Sequence, residues 1–124
     1  MLLLKQRSQS NRKQRKFPRY LDKIRACPCL ICGQQAECAH LRMSSAEYSK
    51  VNGRDDKWVT PLCPTHHRLG PQAQHSMAEY RFWEIHAIDP LRVAKALWEA
   101  RDDLAAMQTI CVQVPIVRKL PKPQ

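Results

Sequence analysis

Two short turns, thirty-one residues apart, constrain this chain more than any other feature. Cys29-Leu30-Ile31-Cys32-Gly33 is a Cys-x2-Cys knuckle, and Cys63-Pro64-Thr65-His66 is a second two-ligand turn. This spacing lets two donors reach one ion from a single turn, while the glycine relieves crowding where the chain reverses. Cys29, Cys32, Cys63 and His66 together make a Cys3His set, which closes a tetrahedral structural zinc site. Such a site contributes on the order of 10 kcal/mol to folding, a decisive amount for a small domain. Cys27 is the alternative to Cys29, although Cys27-x4-Cys32 and Cys27-x-Cys29 are poorer knuckles.

The chain holds six cysteines in 124 residues. Its apolar start, Met1 to Leu4, is followed at once by Lys5, far short of a secretory h-region or a membrane span. The expectation is therefore a cytoplasmic protein with no membrane partner, whose thiols bind metal rather than form disulfides. Cys38 and Cys111 lie in apolar, strand-like contexts and are read as core. A redox dithiol would not need the matching Cys63-x2-His66 turn downstream, which argues against that use of Cys27, Cys29 and Cys32.

Charge is segregated. Residues 1–25 carry nine Lys or Arg against Asp22 alone, the last seven add Arg118, Lys119 and Lys122, and residues 26–117 hold nine basic and ten acidic side chains. Basic arms on a near-neutral body suit a polyanion, because each phosphate contact releases counterions. The partner expected from this pattern is DNA, contacted by Arg12, Lys13, Arg15, Lys16 and Arg19. The competing reading of the same residues is a solubilising tail.

Local patterns divide the chain into a basic disordered arm over 1–16, a zinc-containing domain over 17–108, and a C-terminal strand and basic tail over 109–124. Pro18 at a first turn predicts a helix to Ala26, with Tyr20, Leu21 and Ile24 on one face. Gln34 to Arg42 and Lys57 to Leu62 read as strands around a polar loop containing Asn52-Gly53. A short helix after Cys63 ends at Gly70-Pro71. Ser76-Met77-Ala78-Glu79 matches a capping box and predicts a helix through His86, its apolar face built from Met77, Tyr80, Trp83 and Phe82. Asp89-Pro90 opens another, with Leu91, Ala94, Leu97, Trp98, Leu104 and Met107 at helical spacing. Thr109 to Val117 has strand composition.

Histidines crowd the zinc turns, at 40, 66, 67 and 75. If His66 binds zinc, His67 points elsewhere, since adjacent helical residues diverge by roughly 100°. A hydrolytic site needs a few N or O ligands with open positions and a base for water. His67 and His75 can hold the metal, and His40 can be the base. His86 reads as a helix-face residue.

Taken together, Cys-x2-Cys-Gly, Ala-His-Leu-Arg, Asp-x4-Pro-Leu-Cys-x2-His-His, a later His and a Phe-Trp helix ending in Ile-Asp-Pro resemble phage- and prophage-encoded HNH-like nucleases, most closely the recombination-enhancement (Ref-like) group. The resemblance covers roughly residues 20–98. It implies an α+β fold with a small ββα-metal (HNH, or His-Me finger) core, a structural zinc knuckle and flanking helices. It also implies DNA cleavage dependent on Mg²⁺, Mn²⁺ or Zn²⁺, and action beside a recombinase filament. On matching positions His40 is the general base and His67 and His75 are catalytic-metal ligands. Asp56 is a further ligand or orients His40, and Arg42 and Arg68 clamp the scissile phosphate. Ala39 stands where many HNH nucleases carry Asp or His, and Trp58 where the middle Asn is usual. The alternative is a non-catalytic zinc module that binds nucleic acid or a recombination protein.

Overall fold

Pro18 opens the first helix, α1 (Pro18–Arg25), and supplies the fixed backbone angle that a helix start requires. A computed structural model describes residues 15–42 and 55–118 of the chain. Arg12, Lys13, most of the 1–16 arm, the Asn52-Gly53 turn and the 119–124 tail lie outside the described residues. Tyr20 and Ile24, four apart on α1, are buried as the spacing predicts.

Two four-residue strands, β1 (Glu37–His40) and β2 (Val59–Leu62), pair antiparallel with Glu37 opposite Leu62 and His40 opposite Val59. Both lie inside the longer segments expected. The first knuckle is tied to this ribbon by Leu30 N–H donating to the Pro61 carbonyl at 3.1 Å. After β2 come a π-helical turn (Thr65–Leu69) and a 3-10 turn (Gln74–Ser76).

Helix α2 (Glu79–Ile85) starts two residues later than the capping box predicts, with Ala78 rather than Ser76 at its N-cap. Ser76 donates its hydroxyl to the Gly70 carbonyl, and Glu79 accepts the Arg42 backbone N–H at 3.0 Å, so both box residues serve loop contacts instead. Phe82 and Trp83 enter the core, whereas Tyr80 is largely exposed, contrary to the expected face. Helix α3 (Pro90–Glu99) has the predicted start: Asp89 accepts from the N–H groups of Leu91 and Arg92.

The C-terminal segment corrects the sequence expectation twice. The helix from Pro90 does not run to Met107; it stops at Glu99, and Asp103 accepts from Ala106 N–H at 3.1 Å to cap a new helix, α4 (Leu104–Arg118). Thr109 to Val117 is therefore helical rather than a strand. The cap and the Leu-Ala-Ala-Met start nucleate a helix that β-branched residues then extend. Met107 and Cys111 bury its i, i+4 face against the core, while Leu104, expected to be core, is half-exposed. The architecture is α+β: a two-stranded ribbon with helices packed around Ile24, Leu30, Leu41, Leu62, Trp83 and Leu97. No helix among the described residues is long and apolar enough to cross a membrane.

Candidate metal centre and the flanking histidine pairs

The knuckle is shaped by Gly33, whose φ of +78° is open to glycine at no steric cost and whose N–H donates to the Cys29 carbonyl at 2.9 Å. This reversal places Cys32 beside Cys29, and the turn after β2 brings in Cys63 and His66. The four ligand atoms all lie within 4.8 Å of one another. Cys32 Sγ is 3.6 Å from Cys63 Sγ, and His66 Nδ1 is 3.3 Å from Cys63 Sγ and 3.9 Å from Cys29 Sγ. With Zn–S near 2.3 Å and Zn–N near 2.0–2.1 Å, a tetrahedral shell separates two sulfurs by about 3.8 Å and sulfur from nitrogen by about 3.6 Å. The donor set and its spacing fit zinc. At Cys63 burial opposes ionisation, but the backbone N–H of His66 and neighbouring thiols outweigh it and lower the thiol's pKa. At Cys32 burial instead pushes the thiol up to about 11, so before a metal arrives the thiolate is favoured at Cys63 and opposed at Cys32.

Cys27, the alternative ligand, lies instead in a hydrogen-bonded pair with Cys111 of α4. Cys38 donates to the Leu21 carbonyl at 3.4 Å. Cys27 is buried and Cys38 partly so, and neither joins a metal set among the described residues.

Beyond the Cys3His set, strand alternation divides the remaining site residues. Glu37 turns towards the π-helical turn, while Cys38 and His40 meet Leu21 and Asp56. His40 Nε2 lies 2.9 Å from Asp56 Oδ1, with Asp56 nearly sealed from solvent and His40 a quarter exposed. The second oxygen of Asp56 accepts the Phe17 N–H at 2.8 Å. Of the two roles open to Asp56, its contacts are those of a residue orienting His40.

On the other side, His67 Nδ1 lies 2.6 Å from Glu37 Oε1, and the His67 and His75 rings meet edge-to-face with centroids 4.6 Å apart. Burial, His67 and Arg42 hold the His75 pKa below its ordinary value, against the pull of Glu37. Arg68 donates its Nε and Nη2 to Glu37, and this ion pair leads in lowering the Glu37 pKa. Glu37 escaped the sequence reading. Only the β1–β2 register, which sets Glu37 opposite Leu62 and hence beside the turn holding His67, reveals its place.

Among the described residues, the Cys3His cluster is the one group of three or more His, Cys, Asp or Glu whose ligand atoms all fall within 4.8 Å. His40, His67 and His75 form two pairs rather than one closed ligand set. Arg42 reaches this region through its backbone bond to Glu79 and its field at His75. Of the basic arm, Arg15 is not free: it forms an ion pair with the buried Asp55 at 3.0 Å, and its carbonyl accepts the Asp56 N–H. Arg15, assigned to the arm, is thus held against the folded body, because the buried Asp55 needs a partner here, while Lys16 is exposed. Arg19 is exposed on α1.

Comparison with protein-family models, with curated proteins and with solved structures returns no match for this chain.

Proposed function

We propose that this chain is a metal-dependent DNA endonuclease of the HNH type, hydrolysing phosphodiesters with water activated by His40. The observation that carries the reading is the His40–Asp56 pair at 2.9 Å, an imidazole held by a buried carboxylate at the end of a strand. With Nε2–H donated to Asp56, Nδ1 is left as the basic nitrogen that takes a proton from water. Asp56 fixes that tautomer and stabilises the imidazolium as it forms, and Phe17 N–H keeps the carboxylate in place.

His67 and His75 are the candidate ligands for a catalytic Mg²⁺, Mn²⁺ or Zn²⁺. Donation of His67 Nδ1–H to Glu37 leaves Nε2 as the nitrogen for a metal, the arrangement in which metal-binding histidines are held by a carboxylate. The lowered His75 pKa keeps that ring neutral, as a ligand must be. When bound, a divalent ion supplies Lewis-acid polarisation of a phosphoryl oxygen. Arg68 and Arg42 add positive charge beside this pair, and Arg68 also holds Glu37 ionised. Zinc in the Cys3His set has a structural part. The ββα-metal topology, a phage or prophage setting and work beside a recombinase filament belong to the same proposal.

The second reading is a zinc module that binds nucleic acid without cutting it, favoured by the separation of the histidines into two pairs. Nicking of supercoiled plasmid with Mg²⁺ or Mn²⁺ separates the two. The expected result is cleavage that falls about 10²- to 10⁴-fold in His40→Ala. Cleavage absent in every metal, or equal in the variant, refutes the nuclease.

A further inference from the structure

Phe17, whose backbone N–H holds Asp56, also lines a cleft that the hydrolytic residues do not use. Where the start of α1 meets the end of α3, a cavity of about 560 Å³ is lined by Lys16, Phe17, Arg19, Lys23, Trp98 and Arg101. Against these four cations stands one acid, Asp102. The volume lies within the range that takes one small ligand the size of a nucleotide.

The walls are held rather than loose. The Arg101 guanidinium lies 4.3 Å from the Trp98 ring centre, and its Nη1 donates to the Trp98 carbonyl at 3.0 Å. Lys23 Nζ donates to the Arg101 carbonyl, tying α1 to the end of α3. Phe17 and Tyr20 brace Trp98 from the side, with ring centres 4.7 and 5.0 Å away. A guanidinium stacked on an indole offers a flat cationic face, and lysines around it offer point charges. That pairing suits a base beside a phosphate.

We propose that this cleft binds one unpaired nucleotide of a nucleic-acid strand, its base against the Arg101–Trp98 stack and its phosphate among the cations. The bases of an intact duplex are stacked inward and cannot enter a concave site of this size, so the preferred partner is a single-stranded segment. The cleft also connects to the proposed hydrolytic residues. Phe17 forms its wall and donates its N–H to Asp56, which in turn meets His40. A strand seated here would lie against the residue whose backbone N–H holds Asp56. This deepens the nuclease reading by naming an unpaired strand as the substrate class, and rests on that reading for the strand's fate.

The test measures binding without divalent metal, so that cleavage plays no part. The zinc-loaded full-length chain is titrated against fluorescein-labelled oligothymidylate and against a duplex of equal length, with anisotropy read at several salt concentrations. Arg101→Gln is expected to weaken oligothymidylate binding about fivefold to tenfold and to lower its log–log salt slope by about 0.7, with duplex binding changed less. Arg101→Lys, which keeps the charge and loses the flat stack, falls between. Arg92→Gln removes the same charge from an exposed site elsewhere on α3 and is expected to change affinity less than about twofold. Zinc content and melting temperature verify each fold, and Arg19→Gln, at an exposed residue, carries the test if Arg101→Gln unfolds.

Equal losses in Arg92→Gln and Arg101→Gln, equal losses for duplex and single strand, no binding by the wild type, or competition by polyglutamate as strong as by oligothymidylate each overturn the proposal. Cleft-dependent binding by a chain that nicks nothing upholds the cleft and refutes the nuclease reading alone.

Discussion

Removal of zinc is expected to unfold this chain. Cys29 and Cys63 are 2% and 4% exposed and belong to the same buried cluster as Leu30 and Leu62, so the centre is a corner of the core and not an appendage. Without an ion, three sulfur ligands and an imidazole remain crowded within 4.8 Å, Cys29 and Cys63 buried among them, without the charge that balances a thiolate. Structural zinc sites of this kind bind with an apparent 10–16 kcal/mol, whereas whole domains keep a net stability of about 5–15 kcal/mol. The loss therefore equals or exceeds the margin. In a domain of about 60–100 ordered residues each kcal/mol moves the melting temperature by about 4–8 °C, so no cooperative transition should survive above room temperature. The assay is metal content by mass spectrometry, followed by far-UV circular dichroism during titration with a zinc chelator. One zinc per chain and a cooperative loss of helix are expected, with recovery on adding zinc back. Cys63→Ala should fail to fold at any zinc level, while Cys38→Ala should cost only about 1 kcal/mol, the worth of one hydrogen bond and little packing. A metal-free chain that melts cooperatively within a few degrees of the zinc-loaded one would refute the reasoning.

Three further perturbations follow from the contacts. Glu37→Gln keeps the side chain's shape but removes the charge that holds His67 Nδ1 at 2.6 Å, and should weaken Mn²⁺ binding about 10- to 100-fold by calorimetry; unchanged affinity would separate Glu37 from the metal pair. Because the His75 pKa is depressed from its ordinary 6.5, the folded state binds this proton less readily than the unfolded chain. The resulting stability is full above pH 6.5 and is lost as pH falls towards the folded value, so denaturant melts of wild type and His75→Gln should converge on acidification. Ala87 follows α2 with φ of +54°, a left-handed conformation that strains a side chain but not glycine. Ala87→Gly should therefore raise stability by about 0.5–1 kcal/mol, and a loss in denaturant melts would count against that strain.

The sequence made some elements legible because their signals are local. The Cys3His cluster followed from two turn spacings, Pro18 and Asp89-Pro90 marked helix starts, and Tyr20, Ile24, Leu91, Ala94 and Leu97 followed from helical period. Expectations failed where tertiary partners override local preference. Thr109 to Val117 looks like a strand by composition, yet the Asp103 cap and the Met107/Cys111 face hold it as a helix. Ser76 and Glu79 have capping-box spacing, but Gly70 and Arg42 claim their side chains first. Glu37 was invisible because its role depends on pairing register, which nothing within a few residues of it encodes. Arg15 looked like one more cation of a basic arm until the buried Asp55 supplied its partner.

That register also links the metal centre to the proposed chemistry. The four residues of β1 serve both histidine pairs: Glu37 meets His67 from one face, and His40 meets Asp56 from the other. In a strand, a slip of one residue exchanges the two faces. Such a slip would turn both side chains away from their partners at once. A two-stranded ribbon is only marginally stable by itself and has little of its own to resist slipping. A metal in the Cys3His set would resist it. Cys29 and Cys32 precede β1, Cys63 follows β2 directly, and Leu30 N–H reaches the Pro61 carbonyl between the two turns. One ion in this set would thus join the start of β1 to the end of β2, which lie side by side at one end of the ribbon, and hold the two strands in a single alignment. Zinc that touches no substrate would still control catalysis, through the position of residues that lie outside its own coordination shell.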